Sequence, residues 1–235
     1  KRSISIGGNS VFEHFHPSED FTSMLDSEQG PETCNTYKML RLTKLLYTTS
    51  ADPHYMDYYE RALYNHILST VNPIQGGFVY FTPMRSGHYR VYSQPQTSFW
   101  CCVGSGIENH ARYGEMIYSH KGDDELIVNL FIPSKLTWGK TVVEQVNDFP
   151  AEEGTTLLIN PKKASEFTVN IRIPEWTEAA RMNAKVNGEA VKAQIEGGYL
   201  KIDRKWAKGD KLTVDLPMSL RAVQLPDMSE NYSFM

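Results

Sequence analysis

The sequence predicts an α+β chain of two domains, helical in its first half and an antiparallel β-sandwich in its second. Two observations carry this. From Glu32 to Val71 apolar residues recur at three- and four-residue spacing, the period of a helix with one buried face; after Gly122-Asp123-Asp124 the period drops to two, that of half-buried strands. The switch sets a boundary between Ser119 and Asp124, giving a helical domain over 1–121 and a β domain over 122–235.

A chain of 235 residues has room for one large core or two modest ones. Its 40% hydrophobic and 22% charged residues are those of a soluble globular protein. A net charge of −4 gives no bulk attraction for nucleic acid or an anionic membrane, and no apolar run approaches the roughly 20 residues that span a bilayer. Neither is expected as a partner. The chain opens on Lys1 and closes on the strand-like run Asn231-Tyr232-Ser233-Phe234-Met235, so a piece of a longer protein is expected.

Residues 1–31 read as irregular. They hold the turn signal Gly7-Gly8-Asn9-Ser10, then Glu13, His14, His16 and Glu19 in an acidic loop of the kind that often carries function. A first helix runs from Glu32 to Tyr47 with Met39, Leu42, Leu45 and Leu46 as its apolar side; Pro31 and Glu32 suit its start. After the break at Thr49–Pro53 a second helix reaches Val71 and pairs with the first as an αα-hairpin. Phe78–Phe81 reads as extended. A third helix begins near Cys102, where Gly104 and Gly106 allow close approach of another group. The aromatics between Tyr80 and Trp100 suit either an ordinary core or the wall of a carbohydrate pocket. Strands follow at 126–132, 140–145, 167–173 and 211–216, and Asn187-Gly188 marks a tight hairpin.

The chemistry concentrates in three cysteines, Cys34 in Glu32-Thr33-Cys34 and the adjacent pair Cys101-Cys102, each group at a helix start. Helix N-termini favour thiolates, and three thiolates with a carboxylate make a tetrahedral set for a borderline-soft ion such as zinc. Buried inert cysteines are the ordinary alternative. A disulfide between Cys101 and Cys102 would close a strained ring, whereas one from Cys34 depends on the fold.

Gly30-Pro31-Glu32-Thr33-Cys34-Asn35-Thr36-Tyr37, with Trp100-Cys101-Cys102 downstream, the Gly-Gly-Asn-Ser loop before Glu13-His14-Phe15-His16-Pro17, and Ile171-Arg172-Ile173-Pro174-Glu175-Trp176, resembles glycoside hydrolase family 127 and its relative, family 146. These are β-L-arabinofuranosidase-type enzymes, and the resemblance covers essentially the whole chain. It implies an (α/α)6 barrel, of which this chain holds the last helices, followed by a β-sandwich. It also implies a zinc ion on Glu32, Cys34, Cys101 and Cys102, with Cys101 as nucleophile and a loop glutamate as general acid and base. Glu13 is preferred for that last role, with Glu19 as the other match. The implied activity is release of L-arabinofuranose, with retention, from an arabinose-containing oligosaccharide or glycan. The chain by itself is expected to be inactive. Two alternatives stand beside this: a structural zinc site in a non-catalytic sugar-binding or packing domain, and a metal-free glycosidase using two carboxylates.

Overall fold

The computed structural model describes residues 3–227 and 229–235. It divides into two compact units. One takes the chain up to Ser50, then Asp57–Gly114 and everything from Leu220 on; the other takes Ala51–Met56 and Glu115–Ser219.

In the first unit, strands β1 (Ser10–Val11) and β2 (His14–Phe15) pair antiparallel and leave Phe12-Glu13 as a two-residue loop. Phe12 opens that loop at φ 55°, a left-handed conformation that costs a non-glycine residue on the order of 1–3 kcal/mol. Its backbone N–H donates to the Gln29 carbonyl at 3.0 Å, and it bridges Pro31, which together hold the turn. A short helix, α1 (Thr22–Asp26), buries Met24 with Phe21, Ile4, Val11 and Leu225. Part of the stretch read as irregular is therefore ordered. Two-residue strands carry no period to read.

Helix α2 (Thr33–Ser50) buries Thr33, Thr36, Tyr37, Leu40, Thr43 and Tyr47. Leu42, Leu45 and Leu46, read from the sequence as its inner side, are 46%, 64% and 39% exposed. The buried stripe is rich in threonine, which the core tolerates because the hydroxyls are bonded: Thr33 Oγ1 donates to the Val79 carbonyl and Thr43 Oγ1 to that of Met39, each at 2.7 Å. Helix α3 (Pro53–Asn65) gives way at His66 to a 3-10 turn (Ile67–Thr70), short of the continuous helix expected to Val71. Helix α2 packs against that turn and against α4 (Cys101–His110).

His66 is fully buried between two threonines, Nδ1 at 2.9 Å from Thr36 Oγ1 and Nε2 at 3.0 Å from Thr82 Oγ1. Burial first, and then the charge of Arg90, push it down to about 3. The unfolded chain protonates this ring below about pH 6.5 while the folded one does not, so its contribution is complete above that pH and is lost as pH falls. Between pH 7.5 and 5.0 the loss is about 2 kcal/mol. Urea midpoints for the protein and for His66→Gln check this; an equal loss in both would remove His66 as the cause.

The second unit has two sheets. The six-stranded one is built from β5 (Ser134–Trp138), β6 (Thr141–Val146), β7 (Thr155–Pro161), β9 (Asn183–Val186), β10 (Glu189–Ala190) and β13 (Asp210–Asp215), in the order β10-β9-β13-β7-β6-β5. The five-stranded one is built from β3 (Tyr118–Lys121), β4 (Glu125–Val128), β8 (Ser165–Arg172), β11 (Gln194–Glu196) and β12 (Tyr199–Trp206), in the order β11-β12-β8-β4-β3. Alternate residues of both, among them Val143, Leu157, Ile159, Leu212, Val128, Val169, Ile171 and Ile202, form one buried cluster around Trp206. Asn187 and Gly188 join β9 to β10 with φ of 55° and 89°, the tight hairpin that the Asn-Gly pair predicts.

One pair departs from the antiparallel expectation: β4 lies parallel to β8. Between them the chain passes through β5, β6 and β7 of the other sheet, so it returns beside β4 in the same direction. The run at the C-terminus also groups differently from the 122–235 reading. Strands β14 (Ala222–Gln224) and β15 (Tyr232–Phe234) fall in the first unit, where Leu225 is buried and Asp227 Oδ2 accepts the Phe21 N–H at 2.9 Å. No helix is long and apolar enough to cross a membrane among the described residues.

Candidate metal and active site

Three short extended segments of the first unit lie side by side and place the polar groups. Phe12 bridges Pro31 in parallel and Glu32 bridges Phe81 antiparallel, while the Thr33 N–H donates to the Tyr80 carbonyl and the Thr82 N–H to that of Pro31, each at 2.9 Å. The Glu32 N–H is held by Ser10 Oγ at 3.0 Å. The first turn of α2 then supplies Cys34, and the first two residues of α4 are Cys101 and Cys102. Close passage is secured at Gly106, where a Cβ would sit 2.6 Å from the Phe78 ring; Gly104 faces open space and has no such role.

The geometry brings the four predicted ligands together. The carboxylate oxygen of Glu32 and the sulfurs of Cys34, Cys101 and Cys102 all lie within 4.8 Å of one another. Glu32 Oε1 is 3.8 Å from both Cys101 Sγ and Cys102 Sγ, and Cys102 Sγ is 3.2 Å from Cys34 Sγ. A tetrahedron with metal–sulfur bonds of about 2.3 Å has edges of about 3.8 Å, so this set fits a zinc-sized ion. All three cysteines are free thiols in the structure.

Four acids this close cannot all ionise without a cation. Hydrogen bonding from Cys102, then from Ser105 (Oγ at 3.0 Å), brings Cys34 down to about 6 against the opposing effect of burial. Burial, then the neighbouring Cys34 charge, pushes Glu32 up to about 7. Cys102 is driven far above the thiol range by its bond to Cys34 and then by burial, and burial also raises Cys101. The crowded negative charge is what a bound divalent ion would relieve.

Glu13, at the tip of the β1–β2 loop, joins the cluster through one residue. The Tyr80 hydroxyl donates to Glu13 Oε1 and lies 3.2 Å from Cys101 Sγ. Its bonds to Cys101 and then Glu13 raise the Tyr80 phenol well above its ordinary range. Glu19 instead accepts from Ser18 Oγ on the exposed loop. His16 is buried with its ring 4.3 Å from that of Phe21, and His14 is exposed on β2. From the sequence Tyr80 counted only among the aromatics, and its place beside Glu32 and Thr33 comes from the pairing of distant segments.

Residues 1–115 match the family model described as beta-L-arabinofuranosidase, GH127 catalytic domain, and residues 125–218 match that described as the GH127 middle domain. No curated protein matches. Among solved structures, the chain is similar to Ara127N-Se, a GH127 beta-L-arabinofuranosidase from Geobacillus stearothermophilus T6, at 25% identity and a TM-score of 0.81 over 99% of this chain and 39% of that one. It is similar to the GH127 beta-arabinofuranosidase BT3674 at 25% identity and a TM-score of 0.79, over 100% and 40%. A further glycoside hydrolase, at 22% identity and a TM-score of 0.73 over 86% and 36%, shares the fold. The chain thus spans two fifths or less of the length of these structures.

Proposed function

Because the chain belongs to glycoside hydrolase family 127, we propose that it carries the reaction centre of a retaining glycosidase that releases L-arabinofuranose from arabinose-containing glycans. The observation that supports this most is the connection of the thiol cluster to Glu13 through Tyr80, which a purely structural metal site does not need. In this reading α2 to α4 belong to an (α/α)6 barrel and the two sheets form a β-sandwich.

Cys101 takes the nucleophile's role. It is the exposed thiol of the three, whereas Cys102 is buried and Cys34 half-buried. Its sulfur attacks the anomeric carbon as the glycosidic C–O bond breaks, and Glu13 gives its proton to the departing oxygen. Glu13, now a carboxylate, takes a proton from water, whose oxygen attacks the same carbon and releases the Cys101 thiolate. Two inversions return the original configuration. Tyr80 holds the two groups in register by contacting both. Glu32, Cys34, Cys101 and Cys102 would hold zinc, which supplies the positive charge that keeps thiols deprotonated near neutral pH.

The reading is tested by metal content, thiol count and covalent trapping. About one zinc per chain is expected, with three thiols that react with a disulfide reagent only after chelation. A mechanism-based β-L-arabinofuranosyl inhibitor is expected to add its sugar to the peptide bearing Cys101. An adduct on a carboxylate, or three freely reactive thiols with no zinc, would overturn it.

A further inference from the structure

The second unit carries a cavity of about 630 Å³ on the outer face of its five-stranded sheet, lined by Glu125, Thr168, Lys192, Gln194, Lys201 and Asp203, with Ala193 as the one apolar side chain. The volume falls within the range of about 300–1,000 Å³ that small-molecule sites occupy. We propose that this cavity is a second glycan-binding site, sharing no residue with the thiol cluster, which holds a short stretch of an uncharged, hydroxyl-rich chain. That the chain held is the enzyme's own glycan rests on the glycosidase reading.

Strand alternation builds the site. Leu126, Phe167, Val169, Leu200 and Ile202 face the buried cluster, so Glu125, Thr168, Lys201 and Asp203 face the other way. Asp203 pairs with Thr168 and Thr168 with Glu125, which sets these three in one row across β12, β8 and β4, while Gln194 pairs with Lys201 in a neighbouring row. From β4 to β11 are three strand spacings, about 14 Å, long enough for a short oligosaccharide.

The polar groups are held from beside and below. Thr168 Oγ1 donates to Asp203 Oδ1 at 3.2 Å and leaves the other carboxylate oxygen to a ligand. Asn170, on the same face as Thr168 and only 2% exposed, donates from Nδ2 to Glu125 Oε2 at 3.2 Å and to the Leu126 carbonyl at 3.4 Å. Its Oδ1 is buried and accepts no hydrogen bond among the described residues, a cost that a solvated surface amide does not carry. Asn170 stands opposite Lys201 in register, so a ligand hydroxyl entering between Lys201 and Glu125 would supply the missing donor.

The lining also selects the ligand. Two carboxylates, Glu125 and Asp203, are set against two ammonium groups, Lys192 and Lys201, so no net charge favours an anion or a cation. Lys201 is paired with Glu196 at 2.9 Å, which leaves Lys192 to donate and Asp203 to accept. An apolar ligand would find only Ala193. Donors interleaved with acceptors are what successive hydroxyls of a neutral sugar satisfy.

The test is a titration of the protein with linear arabinotriose, followed by backbone amide NMR shifts at low and at high salt. Saturable shifts are expected at Lys192, Gln194 and Asp203, with an affinity that salt leaves unchanged. Lys192→Ala and Asp203→Ala are each expected to weaken binding there about tenfold. Lys192→Gln, which keeps a donor and loses the charge, is expected to stay within about threefold of the unmodified protein. Hydrolysis of a small aryl β-L-arabinofuranoside is expected to be the same in all three variants. No saturable shift on this face, an affinity that falls steeply with salt, or a response to the zwitterion glycine and none to arabinotriose overturns the assignment. If arabinotriose binds here and the alanine variants weaken it while no glycoside is hydrolysed, the cavity stands as a glycan site and the glycosidase reading falls. If the glycoside is hydrolysed and arabinotriose leaves this face unmoved, the cavity assignment falls alone.

Discussion

Cys101→Ser is expected to lower kcat on a β-L-arabinofuranoside by at least about 10³-fold while leaving the chain folded. A serine hydroxyl ionises far above the thiol range, so the variant keeps the shape of the nucleophile and loses its reactivity. Folding is spared because the side chain is exposed and its contacts are long ones, 3.2 Å to Tyr80 and 3.8 Å to Glu32. Steady-state kinetics, zinc content and thermal unfolding on the same preparation separate the possibilities. Turnover within tenfold of the unmodified enzyme would remove Cys101 as nucleophile. A variant that loses both its zinc and its fold would favour the structural-site alternative.

Cys102→Ala should abolish metal binding. Its sulfur is wholly buried at 3.2 Å from Cys34 and 3.8 Å from Glu32, the centre of the cluster. Changes in groups that merely support a ligand cost about 10–100-fold in metal affinity, and removing one of four ligands exceeds that. A ligand present at 100 times its dissociation constant stabilises the fold by about 2.7 kcal/mol, so losing the metal lowers the unfolding temperature as well. The variant is expected to retain far less than one zinc per chain and to melt where the chelated, unmodified protein melts. Binding of one zinc with unchanged affinity would exclude Cys102 from the ligand set.

Much of the site was legible because ligand chemistry depends on residue type. Three cysteines and one glutamate at helix starts define a donor set whatever else the chain does, and the fold brings all four within 4.8 Å. The sequence preferred Glu13 and kept Glu19 as the other match. Pairing of Ser10 with Phe15 puts Glu13 at the loop tip, where the Tyr80 hydroxyl reaches it, while Glu19 accepts from Ser18. Tyr80 itself was invisible as a site residue, since its role comes from its pairing across to Glu32 and Thr33.

The sequence by itself pointed to helices in the first half and strands in the second, to the Asn187-Gly188 turn, and to four residues that could hold a metal ion. Each rests on local chemistry: a period of apolar residues, a pair that tolerates positive φ, or a soft ligand atom. Tertiary structure decided which face of α2 is buried, that β4 and β8 run parallel, and that residues 220–235 join the first unit. Those outcomes depend on which distant segment arrives as a neighbour. Leu42, Leu45 and Leu46 of α2 stay exposed while Thr33, Thr36 and Thr43 are buried, and the hydroxyls of Thr33 and Thr43 donate to the carbonyls of Val79 and Met39.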